Sequence, residues 1–407
     1  MNQALVSPRW TLDPLHGLFA ARALRDFGDS FVAILLPAYL LALGFSPFAV
    51  GVLATASLLG SACLTLGAGW LGALYGYRRL LQLAAGLMVA SGLAFAAFRD
   101  YGILLIVAFA GTINPSAGNV SVFVPLEHAA LAREAGDQDR TRMFARYSVA
   151  GAVAAAVGAL IAGTPELATL LGVDRSTAMR SMFVLYALLG VAGRYLYRRL
   201  PRHAIDGAAT PASAALGPSR AIVMKLAALF SLDAFAGGFV VQSLLALWLF
   251  QRFNLSLTAA GVFFFGTGLL SALSYPVAAR LSRRIGLVNT MVFTHIPSSI
   301  ALMLAAFAPS LASALAWLLV RAALSQMDVP TRSSYVMAVV TESERSAAAS
   351  FTSVPRSLAS SASPALAGAL FAASSFAWPL LICGSLKILY DLLLLAQFRQ
   401  LKPPEEQ

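Results

Sequence analysis

Runs of about twenty apolar residues recur along this chain from residue 17 to residue 396, separated by short polar breaks. A run of that length coils into a helix of about 30 Å, the thickness of a bilayer's hydrocarbon core. A backbone immersed in lipid must satisfy its own hydrogen bonds, which leaves helices or closed barrels. The alternating pattern of a barrel strand is absent. Composition points the same way, with 59% of the 407 residues hydrophobic and only 12% charged, against about 25% charged in soluble domains. The chain reads as an all-α, multi-pass membrane protein.

The breaks place twelve helices. Six lie at 17–42, 47–71, 79–98, 102–130, 143–163 and 178–197, and six at 223–250, 257–280, 287–307, 311–340, 347–373 and 377–398. This predicts one six-helix bundle over 1–197, a linker over 198–222 rich in Ala, Pro, Gly and Ser, and a second bundle over 223–407. Lys and Arg in the loops set the orientation. The side holding the termini and the linker collects most of them, including Arg78, Arg79, Arg198, Arg199, Arg283 and Arg284, while the other side holds only Arg99, Arg175, Arg180 and Arg252. Both termini are therefore expected in the cytoplasm, with the chain in the cytoplasmic (inner) membrane. The net charge of +11 then follows from topology, and no nucleic-acid partner is needed to explain it. Cys63 and Cys383 lie in apolar runs without metal-site spacing and read as packing residues, so neither metal nor cofactor is expected. No basic region followed by a cleavage site opens the chain, and the first span is expected to act as its own insertion signal.

The second half echoes the first. Val124-Pro125 of the fourth span recurs as Val329-Pro330 of the tenth. "ARYSVAGAVAAAVGAL" (145–160) aligns without a gap on "PRSLASSASPALAGAL" (355–370), pairing Arg146 with Arg356 and Gly158 with Gly368. Such repeats place a substrate site near the bilayer midplane, between the halves. The loop after the second span reads Gly69-Trp70-Leu71-Gly72-Ala73-Leu74-Tyr75-Gly76-Tyr77-Arg78-Arg79, and its counterpart "ARLSRRIGLVNT" carries Arg283, Arg284 and Gly286. These loops resemble the G-x-x-x-D-x-x-G-R-R/K signature of the major facilitator superfamily. The resemblance covers nearly the whole chain through its layout and a few residues per half through the motif. It implies two pseudo-symmetric six-helix bundles, a small-molecule substrate, and a cavity lined by the first, fourth, seventh and tenth helices. The signature's acid is replaced by Ala73 and Arg283, so another group must steady the outward-facing state. The fifth span lacks the glycine-proline pair of drug/proton antiporters, and its Gly151, Gly158 and Gly163 supply close helix packing.

A charge at bilayer depth costs at least about 2.5–3.5 kcal/mol and needs a partner, a wet cavity or a function. Arg22, Arg25, Arg321, Arg332, Arg356 and Lys387 fall within the expected spans, as do Asp26, Asp29, Glu127, Asp233, Asp328 and Asp391. Spacing of four residues pairs Arg22 with Asp26, Arg25 with Asp29, Asp328 with Arg332 and Lys387 with Asp391. Arg321, Asp328, Arg332 and Tyr335 make one stripe of the tenth helix, which must face protein or water. Arg321 also resembles the buried arginine that many proton-coupled members of the superfamily carry in the fourth helix. The expected cavity set is Asp29, Asn114, Asn119, Gln242, Arg321, Gln326, Asp328, Arg332 and Tyr335. Proton coupling is expected at Asp233, Asp29 or Asp328, with Asp233 first because its own helix offers no base three or four residues away. The shared Val-Pro sets Glu127 level with Arg332, as a gating pair across the halves, and Arg146 and Arg356 are further gating candidates. His295 reads as a packed residue or a proton shuttle.

The expectation is a monomeric secondary transporter in the lipid bilayer, coupled to protons, with export by antiport and import or facilitated passage both open. An organic anion, an amphipathic compound and a neutral polar solute all remain open as substrates. No nucleotide-binding motif offers ATP as the direct drive. An embedded enzyme would need a nucleophile or metal cluster, and a membrane sensor would bring a soluble signalling domain; neither is evident in the sequence.

Overall fold

A computed structural model describes residues 13–116, 121–134, 140–201, 216–341, 344–374 and 376–399. Its regular elements are helices: α1 (Pro14–Ala42), α2 (Pro47–Tyr75), α3 (Tyr77–Ala97), α4 (Tyr101–Ala110), α5 (Phe123–Glu134), α6 (Arg140–Ile161), α7 (Thr164–Leu170) and α8 (Arg175–Arg199) in the first half. The second half holds α9 (Arg220–Gly238), α10 (Gln242–Phe253), α11 (Leu257–Ile285), α12 (Leu287–Ala306), α13 (Leu311–Ser325), α14 (Asp328–Ala338), α15 (Arg345–Ala373) and α16 (Trp378–Phe398). Among the described residues, eight helical stretches are long and apolar enough to cross a bilayer, α6 with α7 and α9 with α10 each counting as one. The charged α1, the serine-rich α15 and the broken pairs α4/α5 and α13/α14 complete twelve spans in two six-helix bundles. The face where α8 ends and α9 begins is the linker face, and the opposite one the far face.

Three spans expected to be continuous are interrupted. The fourth unwinds between α4 and α5 over Gly111, Asn114 and Pro115, residues that favour turns over helix. The seventh breaks after Gly237-Gly238. The tenth breaks at Gln326–Met327, where Pro330 removes a donor and its ring crowds the Gln326 carbonyl four residues back. The short α7, opened by Pro165, was not foreseen.

The two bundles meet along α2/α15 and α6/α11. Gly51 and Gly368 let the first pair touch, since a Cβ on Gly51 would lie 2.8 Å from the Gly368 Cα. On the far side a single apolar core joins Phe31, Leu35 and Tyr39 of the first half to Leu244, Trp248 and Phe263 of the second. Toward the linker face each half keeps its own core. One is built on Leu81, Tyr147 and Tyr197, the other on Phe230, Met291 and Phe398.

The paired loops of the motif are alike in backbone. Gly76 (φ 78°) and Gly286 (φ 86°) each take the left-handed turn that starts the next helix, which explains a glycine at both places. Arg78 caps the end of α8, donating through Nε to the Tyr197 carbonyl at 3.3 Å and through Nη2 to that of Arg198. Gly69 and Gly72 fall within the last turns of α2, and Arg79, Arg283 and Arg284 are exposed.

Candidate functional site

Each bundle encloses a cluster of charges between the joined far core and its own linker-side core. In the first, the Glu127 carboxylate is fully buried on α5. It accepts from Arg25 of α1 at 2.8 Å, from the Tyr197 hydroxyl at 2.5 Å and from the Tyr147 hydroxyl. Arg25 also lies 3.4 Å from Asp26, which is paired with Arg22. Arg25, expected to meet Asp29 one turn on, is turned to Glu127 because a carboxylate from another helix approaches it more directly. Asp29 is left to Tyr186, whose hydroxyl is 2.9 Å from Oδ1 and 3.1 Å from the Thr112 carbonyl. That hydroxyl ties α1 and α8 to the unwound stretch of the fourth span.

The second bundle reverses the polarity. Here the acid, Asp233, stands on the first span of the half, and the base, Arg332, on its fourth. Arg332 Nη1 reaches Asp233 at 3.1 Å and Asp328 at 2.9 Å, and Lys387 of α16 reaches Asp233 at 2.6 Å. His295 lies 3.1 Å from Asp391 through Nδ1 and 3.2 Å from Lys387 through Nε2. The expected pair Lys387–Asp391 is thus replaced by two pairs between helices, Lys387 with Asp233 and His295 with Asp391. Asp233 has its bases on neighbouring helices, where spacing along its own helix could not reveal them. His295 is likewise a centre of this cluster that its peripheral helix concealed. Of the stripe of the tenth span, Arg332 reaches the seventh span and Asp328 on its own helix, and Tyr335 packs edge-on against Phe398.

Around the breaks the two halves touch through polar atoms. The Ser243 amide at the start of α10 donates to the Pro115 carbonyl at 3.0 Å, and Gln242 Nε2 to the Ser30 carbonyl at 3.3 Å. Asn114 folds back so that its Oδ1 accepts from the Ser116 amide and hydroxyl at 2.9 and 2.7 Å. Beside it, Ser57, Ser61, Thr112, Asn114 and Ser121 share the lining of a small pocket with Leu58, Leu64, Ile113 and Val122. Gln326 caps α13 at the tenth-span break and is half-buried. Asn119 lies outside the described residues.

Arg321 of α13 and Arg356 of α15 are half-buried, and neither has a carboxylate within ion-pair distance among the described residues. Arg356 Nε is buried and lacks a hydrogen-bond partner among the described residues. Its helix face continues through Ser360 and Ser363 to the contact with Gly238 of α9, and it stands within electrostatic reach of Arg332, Asp233 and Asp328. Arg146, its partner in the repeat, is exposed.

A family model described as Major Facilitator Superfamily matches residues 18–251 and 226–407. Among curated proteins, the chain is 24% identical to the uncharacterized membrane protein YJR124C of Saccharomyces cerevisiae, over 94% of this chain and 93% of that one. Among solved structures it resembles the human organic anion transporter MFSD10 (TETRAN), with a TM-score of 0.65, 18% identity, and coverage of 94% of this chain and 98% of that one. A bacterial homologue of the iron transporter ferroportin in an inward-facing state gives a TM-score of 0.71 at 15% identity, covering 97% of this chain and 99% of that one.

Proposed function

The chain belongs to the major facilitator superfamily, and from that premise we propose that it is a secondary active transporter moving an organic anion by alternating access, with protons as the coupling ion. The observation that carries the anion reading is Arg356. An unpaired guanidinium at bilayer depth carries a cost of at least about 2.5–3.5 kcal/mol, and a bound carboxylate or phosphate would offset it through the guanidinium's fork of donors. The other buried bases near it, Arg332 and Lys387, already hold carboxylates of the protein. The organic anions of the human neighbour belong to the same charge class.

Coupling falls best to Asp29. It is a buried carboxylate with no cation within ion-pair distance among the described residues, so it can gain or lose a proton without stranding a base. Asp233 and Asp328 share Arg332 and lack that freedom. The arginine asymmetry of the loops makes the linker face cytoplasmic. The core joined on the far side and divided on the linker side supports a state open to the cytoplasm.

The test is uptake into proteoliposomes of labelled organic anions, neutral polar solutes and cationic amphiphiles, with and without a pH gradient. Anion transport should fall at least about tenfold in Arg356→Gln, the loss of one charge-assisted contact worth about 1.5–3 kcal/mol. Transport confined to neutral or cationic compounds, or unaffected by Arg356→Gln, would overturn the anion reading.

A further inference from the structure

The unforeseen helix α7 belongs to the first half, yet its Glu166 side chain is spent on the second. Glu166 Oε1 accepts the Leu257 amide at 2.6 Å, and Oε2 accepts the Thr258 amide at 2.9 Å and the Thr258 hydroxyl at 2.7 Å. These are the first two amides of α11, a 29-residue helix. The third, Ala259, goes to the Ser256 hydroxyl at 3.1 Å, and the fourth, Ala260, to the Ser256 carbonyl at 2.9 Å. The first three amides of the helix, which have no partner within it, are therefore satisfied, two of them by a carboxylate from the opposite bundle. The negative charge also meets the positive end of the helix dipole.

The close approach is built into the seam. A Cβ on Gly163, just before α7, would lie 2.7 Å from the Thr258 Cα, and one on Gly261 would lie 2.6 Å from the Ala159 carbonyl. The symmetry-related seam has no such device among the described residues. There α2 begins with Pro47, which has no amide proton to offer, and its Ser46 hydroxyl takes the Ala49 amide at 3.3 Å. The α2/α15 seam closes on the Gly51–Gly368 contact and on one bond from the Ala365 amide to the Thr55 hydroxyl at 3.0 Å.

We propose that Glu166 is the latch of the far gate: it holds the halves together by capping α11 across the seam and must release those amides for the far face to open. This rests on the alternating-access reading above, but not on the identity of the substrate. Opening exchanges three charge-assisted hydrogen bonds for water, so the latch biases the protein toward the state closed on the far face. Losing it should shift the ratio of the two states by about tenfold or more, as loss of even one charge-assisted bond would.

Two spin-label pairs in the full chain read the gates, in a background with Cys63→Ser and Cys383→Ala. Cysteines at Val173 and Gln251 report the far face, and cysteines at Leu74 and Arg283 the linker face; all four positions are exposed. In reconstituted protein, Glu166→Ala should populate longer far-face distances together with shorter linker-face distances. Thr258→Val should produce a smaller shift of the same sign and add little to Glu166→Ala, because it removes one bond to the same carboxylate. Far-face distances unchanged in Glu166→Ala, in protein whose pairs do respond to a pH gradient or to transported solute, would overturn the latch and leave alternating access standing. Lengthening at both faces would mean general loosening and would also overturn it. Pairs that stay fixed in every variant and condition would overturn the alternating-access reading, and the latch with it.

Discussion

Asp29 and Glu127 are both buried carboxylates of the first bundle, and their neighbours give them different work. Glu127 is surrounded by one guanidinium and two phenol hydroxyls, all donating. Neutralising it would leave Arg25 in the bundle without its main counter-charge, a change that costs about 3–5 kcal/mol for a buried pair. It is built to stay as it is. Among the described residues Asp29 meets a single hydroxyl, that of Tyr186, which also contacts the unwound fourth span through Thr112. A proton arriving at Asp29 can therefore alter a bond that reaches the break. Asp29→Asn should abolish uptake driven by a pH gradient while sparing exchange of labelled for unlabelled substrate, both measured in proteoliposomes. Gradient-driven uptake at the wild-type rate would assign coupling elsewhere. The presence of charges within the spans was readable along the chain, because four-residue spacing and the cost of burial are local facts. Their partners were not readable, because the ligands of Asp233 come from α12, α14 and α16.

Among the elements, α15 shows how a helix end is pinned. Glu344, at its N-cap, accepts from the Gly217 amide and from the Thr341 hydroxyl at 2.6 Å. The Ser219 and Thr341 hydroxyls and the Gly217 amide hold its pKa down to about 2, from an ordinary value of 4.5. A depressed carboxylate contributes stability that is present above the unfolded-state value and is lost as pH falls through the folded one. The difference in melting temperature between wild type and Glu344→Gln in detergent should thus be largest near neutral pH. It should shrink below about pH 4.5 and vanish near pH 2; a difference independent of pH would remove the carboxylate from the anchor. This contact joins the start of α9 to the start of α15, elements far apart in sequence, so no pattern announced it. Span positions were legible, because the apolar runs are set by bilayer thickness. The breaks were half legible: Pro330, Gly237-Gly238 and Asn114-Pro115 were visible in the chain, but apolar residues on either side hid their effect. The repeat was legible in Gly76 and Gly286, which a left-handed turn demands in both halves. The inverted sign of the two clusters was legible in half, since the shared Val-Pro already set Glu127 level with Arg332; that Arg25 faces the one and Asp233 the other was not, because those contacts run between helices.

At the scale of the whole molecule, the cores and the orientation together decide which compartment the protein faces. The far side has one core shared by both halves, and the linker side has two. The charge clusters sit at the fork, where each half satisfies its own. A pair between Glu127 and Arg332, level in the repeat, would require each to leave partners in its own bundle, Arg25 and the tyrosines on one side and Asp233 and Asp328 on the other. Exchange of that kind needs water, which only the divided side can admit while the far seams hold. On the alternating-access reading proposed above, a cytoplasmic linker face would let this state exchange substrate with the cytoplasm, and an external one would invert the direction. The loop charges favour the first as the proposed orientation, because Lys and Arg are retained on the cytoplasmic side during insertion. A reporter active only in the cytoplasm should therefore be active when fused at Ala208, in the linker, and silent at Thr169, in α7. A reporter active only outside should give the opposite pair. Thr169 lies on the same short helix as Glu166, so the same fusions decide whether the far-gate latch faces the outside. Activity of the cytoplasmic reporter at Thr169 and not at Ala208 would reverse the molecule in the membrane and turn the open face outward.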